Sequence, residues 1–188
     1  MARSDRRVQY TKKVIQEAVL DLLKKKTIDE MSIKEICELA DINRGTFYLH
    51  YSQPRDVLKE IEENFVKEHF QHFDNYWKNE RDINDLTRVY RCIIENKELC
   101  SILMGENGDP QFARMLQEFA KTQIIDEWQK EFPTHTKEHL DFLYDFVITG
   151  SMSLLLRWIQ DDRGICADAF AKRLERLGHY SLIAAGEF

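Results

Sequence analysis

The chain has 188 residues, is 43% hydrophobic and 32% charged, and carries a formal net charge of −6. That apolar content can bury a core and excludes a disordered chain, and no run of 18 apolar residues marks a membrane span, because Phe142 to Ile159 contains Asp145 and Arg157. The basic N-terminus runs into an amphipathic stretch instead of an apolar signal core, so a soluble cytoplasmic protein without a membrane partner is expected.

Glycine and proline are scarce, 7 and 3, which points to long helices with few turns and to an all-α fold. The four cysteines, Cys37, Cys92, Cys100 and Cys166, form no CxxC pair, so neither a zinc ribbon nor a disulfide scaffold is implied. Charge is unevenly placed. Residues 1–60 hold 12 Lys and Arg against 10 Asp and Glu, whereas residues 61–188 hold 15 against 23. A local basic surplus, more than the total, decides whether a surface can meet phosphates.

In chain order, apolar residues at three- and four-residue spacing (Ile15, Ala18, Val19, Leu22, Leu23) predict a first helix from about Thr11 to Lys26, closed by three lysines that suit a helix C-terminus. "SIKE" is a capping box that starts a second helix at Ser32, expected to bury Ile33, Ile36, Cys37 and Leu39 and to end at Ala40. "DIN" turns the chain, with Asp41 able to take a left-handed conformation, Ile42 to plug the corner and Asn43 to cap a third, short helix anchored by Phe47. Two helices joined by such a turn make a helix-turn-helix. Pro54 suits the first turn of a fourth helix, whose expected buried side is Val57, Leu58, Ile61, Phe65, His69 and Phe73 and which is expected to run to about Asn79. Segments 83–105, 110–132, 137–160 and 167–186 read as four more helices, with "GENGDP" and "DDRG" as breaks.

A helix-turn-helix places the N-terminal residues of its second helix against base edges. Arg44 is then the base reader, its planar fork matching guanine. Thr46 reaches a thymine methyl or a phosphate, Gly45 lets the backbone approach DNA, and Tyr48, His50 and Lys34 offer donors to phosphate oxygens. An isolated tyrosine or histidine at a helix end is ordinarily packing or solvated surface. It is their spacing here that speaks for a contact face.

The stretch "MSIKEICELADINRGTFYLHYSQPRDVL" resembles the helix-turn-helix signature of the TetR family of bacterial transcriptional regulators. Ser32 stands at the family's threonine, Ile42 at its valine and Asn43 at its capping position, and Gly45, Thr46, Phe47, Tyr48, His50 and Tyr51 match directly. Three departures stand out. Asp41 replaces a turn glycine, Cys37 replaces an alanine, and Pro54 falls where the family has a phosphate-contacting lysine, a role Arg55 could take from the next position.

The resemblance implies a DNA-binding domain at residues 1–55 and a helical effector-binding and dimerisation domain at residues 56–188. It implies a ligand-responsive repressor that binds a palindromic double-stranded DNA operator as a homodimer and is released by a small-molecule effector of unknown identity. The alternative is a TetR-like co-activator acting through a protein partner. Phe112, Phe119, Trp128, Phe142, Phe146 and Met152 are the expected lining of the effector site, although each would serve equally well as core. Leu143, Val147, Gly150, Leu154 and Trp158 are the expected dimer face, since the segment around them carries more apolar surface than one side of a helix needs. No cofactor is implied. His69 with His72 and His135 with His139 have spacings that could share a metal, but neither pair comes with the glutamate of an HExxH motif, so no metal site is expected. No nucleophile stands with a base at a recognisable spacing and no glycine-rich phosphate loop occurs, so an enzyme is not expected.

Overall fold

The computed structural model describes residues 3–69, 85–119, 121–161 and 164–185. They form ten α-helices, one 3₁₀ turn and no strand, in keeping with the sparse glycine and proline. Backbone contacts gather the chain into two units, residues 1–72 with 102–109 and residues 73–101 with 110–188.

The first unit contains α1 (Arg3–Leu23), a 3₁₀ turn (Ile28–Glu30), α2 (Ile33–Leu39), α3 (Arg44–Tyr48) and α4 (Pro54–His69). Helix α1 begins well before Thr11, because residues 3–10 hold no glycine or proline and the Thr11 hydroxyl bonds the Arg7 carbonyl at 2.9 Å within the helix. The lysine run lies beyond its end, in a turn where the amides of Lys25 and Lys26 both donate to the Leu22 carbonyl. The 3₁₀ turn has its own capping box: Glu30 accepts from the Thr27 amide at 2.9 Å. Ile15, Val19, Leu23, Ile36, Phe47, Val57, Leu58 and Phe65 close over one another with almost no exposed surface, and full burial of each such side chain is worth roughly 1.5–3 kcal/mol. At the edge of this core, Lys12 Nζ bonds both Glu60 carboxylate oxygens at 2.8 and 3.0 Å and lies 5.4 Å from the centre of the Tyr51 ring. It thereby ties α1 to α4 and to the chain leaving α3. The continuation of α4 towards Asn79 falls outside the described residues.

The second unit is built from α5 (Asp85–Glu95), α6 (Lys97–Leu103), α7 (Pro110–Phe119), α8 (Lys121–Glu131), α9 (Lys137–Gln160) and α10 (Ala167–Ala185), the last two residues of α6 falling in the first unit. The single helix expected over 83–105 is broken at Asn96. Its backbone amide still takes the Cys92 carbonyl at 3.1 Å, and its side-chain amide bonds the same carbonyl at 2.9 Å. Helix α9 has the bounds the periodicity predicts, opened by the Thr136 hydroxyl accepting from the His139 amide at 3.2 Å. By length and composition α9 could cross a membrane, yet 44% of its most apolar window is buried inside the molecule. Leu140, Tyr144, Ile148, Met152 and Leu155 place it in the core of this unit. The α9–α10 corner is locked by Trp158, whose indole donates to the Ile165 carbonyl at 2.9 Å while its ring stacks on Phe170 at 5.0 Å.

Candidate nucleic-acid interface

Helix α3 is too short to stand alone, since an isolated helix of this length cannot offset the entropy of its own nucleation. It exists because its two ends and its inner face are fixed from outside. Upstream, the Ser32 amide donates to Glu35 at 2.9 Å while the Glu35 amide donates to the Ser32 hydroxyl at 3.2 Å, which holds the first turn of α2. Lys26 bonds the same glutamate, and these contacts, Lys26 first, hold the Glu35 carboxyl down at about 2. At the far end of α2, Asp41 takes φ +52° and the Ile42 amide donates to the Cys37 carbonyl at 3.0 Å. That is the long bond of a Schellman motif, which reverses the chain in a single left-handed residue. The position is the one where the TetR signature carries glycine.

Asn43 then caps α3, its side-chain oxygen accepting from the Thr46 amide at 2.8 Å and from the Thr46 hydroxyl at 3.2 Å. Phe47 is wholly buried and lies 5.9 Å, centre to centre, from both Tyr48 and Tyr51. With Phe47 inside, the opposite face is set. Arg44, Gly45 and Tyr48 are exposed, and Thr46 and His50 are half-buried beside them. Leu49, 80% exposed, lies at the helix end, a large apolar side chain left in solvent that the sequence reading did not single out. Gly45 also has a reason inside the chain, since a Cβ there would stand 3.1 Å from the Asn43 cap oxygen. Lys34 is exposed on α2 and pairs with Glu38 at 3.7 Å. The charge of Arg44 reaches Cys37 beneath the turn, where it opposes the upward shift that burial gives the thiol.

Arg55 is engaged within the first unit. It donates to Asp29 of the 3₁₀ turn at 2.6 Å and to Asp109, at the end of the segment that returns to this unit, at 3.5 Å. Beside it, Glu62 is half-buried, and one of its oxygens is enclosed without a hydrogen-bond partner. Burial, and after it the Asp109 charge, pushes the Glu62 carboxyl up to about 7, with Arg55 pulling the other way.

The remaining expected residues divide by face. Phe112, Trp128 and Met152 lie in the core of the second unit, Phe142 and Phe146 stand 70% and 64% exposed on α9, and the Phe119 side chain is outside the described residues. Leu143, Val147 and Trp158 are buried within their own chain, while Gly150 and Leu154 share the exposed stripe with Phe142 and Phe146. The His135 and His139 rings are 5.2 Å apart, and His72 is outside the described residues. Among the described residues no three metal-ligating side chains gather.

Residues 83–180 match the family model described as "Transcriptional regulator C-terminal region". The chain is 22% identical over 173 residues to the uncharacterized HTH-type transcriptional regulator YxbF of Bacillus subtilis (strain 168), covering 87% of this chain. It spans 43% of that curated relative's length. Two solved structures share the fold. One, from Syntrophomonas wolfei, is assigned to the TetR family (TM-score 0.70, 20% identity, 93% of this chain and 96% of that one). The other is a TetR transcriptional regulator from Streptococcus agalactiae (TM-score 0.68, 21% identity, 93% and 97%).

Two measurements check this geometry. Replacing Asp41 with glycine removes the Cβ from a left-handed residue and is expected to raise stability by up to about 1 kcal/mol, whereas Asp41→Val should lower it by about 1–2 kcal/mol, both read by urea denaturation. Glu62 gives a pH signature. Its carboxyl is raised in the folded state, so folding takes up a proton between the unfolded value near 4.5 and about 7. Its contribution to stability therefore improves as pH falls through 7 and is unfavourable above it. Glu62→Gln should melt higher than wild type at pH 8, and the difference should shrink towards pH 5.5.

Proposed function

Because this chain belongs to the TetR family of transcriptional regulators, we propose that it is a cytoplasmic, ligand-responsive repressor that binds a two-fold operator as a homodimer. The observation that carries the reading is the exposed face of α3, with Arg44, Gly45 and Tyr48 outward while Phe47 and the Asn43 cap fix the helix from behind. Arg44 reads a base edge from the first turn, Gly45 lets the backbone approach, and Thr46, Tyr48, His50 and Lys34 meet sugar and phosphate. Arg55, already bonded to Asp29 and Asp109, serves in this reading as a tie within the head. The phosphate contact of the family's lysine is then absent.

Dimerisation uses the faces that the single chain leaves bare. Phe142, Phe146, Gly150 and Leu154 form a stripe at four-residue spacing along α9, and Leu177, Tyr180 and Ile183 are exposed on α10. An apolar surface of this extent on two adjacent helices suits the same pair of helices in a second copy. Gly150 has open space around it, which lets partner side chains come close to the α9 backbone. The effector binds in the interior of the second unit, near Phe112, Trp128 and Met152, and favours the arrangement that does not bind DNA.

Arg44→Ala should lose about 1–3 kcal/mol of discrimination at one base pair of each half-site while keeping its fold, read by competition titrations against base-substituted operators at two salt concentrations. Equal binding to all sequences by wild type, with a folded dimer, would move the reading to the co-activator that works through a protein partner. The pairing of Arg55 with Asp29 and Asp109 is the observation that favours that alternative. For the dimer, Phe146→Glu is expected to weaken self-association by roughly 100-fold or more, as removal of a central aromatic anchor does. Light scattering across a dilution series measures it, and Met115→Glu, an exposed position on α7, should leave the dimer unchanged.

A further inference from the structure

The core of the second unit is nearly free of polar side chains. Among the described residues Ser151, 6% exposed, is the buried polar residue in a setting of aliphatic, sulfur and aromatic groups. Facing it from α5 is Tyr90, 1% exposed, whose hydroxyl is enclosed and has no hydrogen-bond partner of normal geometry. Burial pushes the Tyr90 phenol up to about 12, and the Ser151 hydroxyl pulls against that shift. Tyr144 belongs to the same cluster but is satisfied: its hydroxyl donates to the Gln117 carbonyl, and its ring lies 6.1 Å from Trp128.

A buried hydroxyl without a partner is costly, and native interiors keep such groups where something outside the chain completes them. The seam that holds this one is also the thinner of two. Helix α5, which carries Tyr90, packs more extensively against α10 than against α9, which carries Ser151. Among the described residues the fully buried set holds no charged side chain, and an ion buried without a partner loses its hydration uncompensated.

We infer that the effector is a neutral, largely apolar molecule carrying one hydrogen-bond acceptor, a carbonyl or ether oxygen, to which Tyr90 beside Ser151 donates inside the second unit. This rests on the ligand-responsive reading above and adds to it the polar anchor and the chemical class. Tyr90 supplies the donor, Ser151 supports it from α9, and the surrounding aromatics hold the apolar body of the guest.

The test uses two probes of nearly the same shape, acetophenone and α-methylstyrene, in which a methylene replaces the carbonyl oxygen. Dissociation constants are measured by ligand-observed NMR on the full-length protein without DNA. Wild type should bind acetophenone about tenfold more tightly, the worth of one enclosed neutral hydrogen bond. Tyr90→Phe keeps the ring and should reduce that preference to about twofold or less while leaving α-methylstyrene binding unchanged. Ser151→Ala, a second variant that removes only a hydroxyl, should reduce it in part. No binding of either probe up to its solubility, equal binding by wild type, or a preference that survives both substitutions would overturn the inference. DNA release is read separately, by anisotropy of a labelled operator. Tyr90-dependent binding without release upholds the anchor and contradicts the ligand-responsive reading. Release by a neutral aromatic whose binding ignores both substitutions does the reverse.

Discussion

The burial of Phe47 behind a left-handed Asp41 is the constraint on which the DNA-facing half of the molecule depends. Five residues cannot hold a helix by their own backbone bonds, and α3 borrows its order from its surroundings. The Schellman bond from Ile42 to Cys37 sets where the helix begins, the Asn43 cap satisfies one of its first amides, and Phe47 is wholly buried beside Tyr51. Once those three are fixed, the exposed residues of α3 have no freedom to choose another face. The recognition surface is a consequence of packing on its far side.

The charges of the head follow a similar economy. Several of its cations are held internally: Lys12 on Glu60, Lys26 on Glu35, and Arg55 between Asp29 and Asp109. Each pair sets a carboxylate against a cation that could otherwise meet phosphates. The modest basic surplus of residues 1–60 is therefore spread over fewer outward groups than the count suggests. In the proposed reading, specific contacts at the N-terminus of α3 then matter more than a broad attractive field.

Local chemistry was the legible part of the sequence. Ser32 with Glu35, Asn43 before Arg44 and Pro54 opening α4 each mark a helix start within a few residues, and each lies where its pattern places it. The break at Asn96, between two helices with no glycine or proline at the junction, is hidden in an otherwise helical run. The faces of α9 were harder still. That helix is apolar nearly all round, so spacing alone could not separate Leu143, Val147 and Trp158, which turn inward, from Phe142 and Phe146, which turn out. Arg55 shows a related limit. Its pairing with Asp29 and Asp109 joins positions far apart in the chain, and no local pattern announces it. Tyr90 and Ser151 met only through the packing of α5 on α9 and carried no motif at all.

The central claim, that packing behind α3 presents a pair of these helices to DNA, is tested most directly by selecting bound sequences from genomic fragments and footprinting the winner with guanine-N7 methylation interference. Interference at two major-groove patches about ten base pairs apart, on one face of the duplex and related by two-fold symmetry, is the predicted result. Recovery of no preferred sequence by a folded dimer, or protection confined to the minor groove, would contradict it.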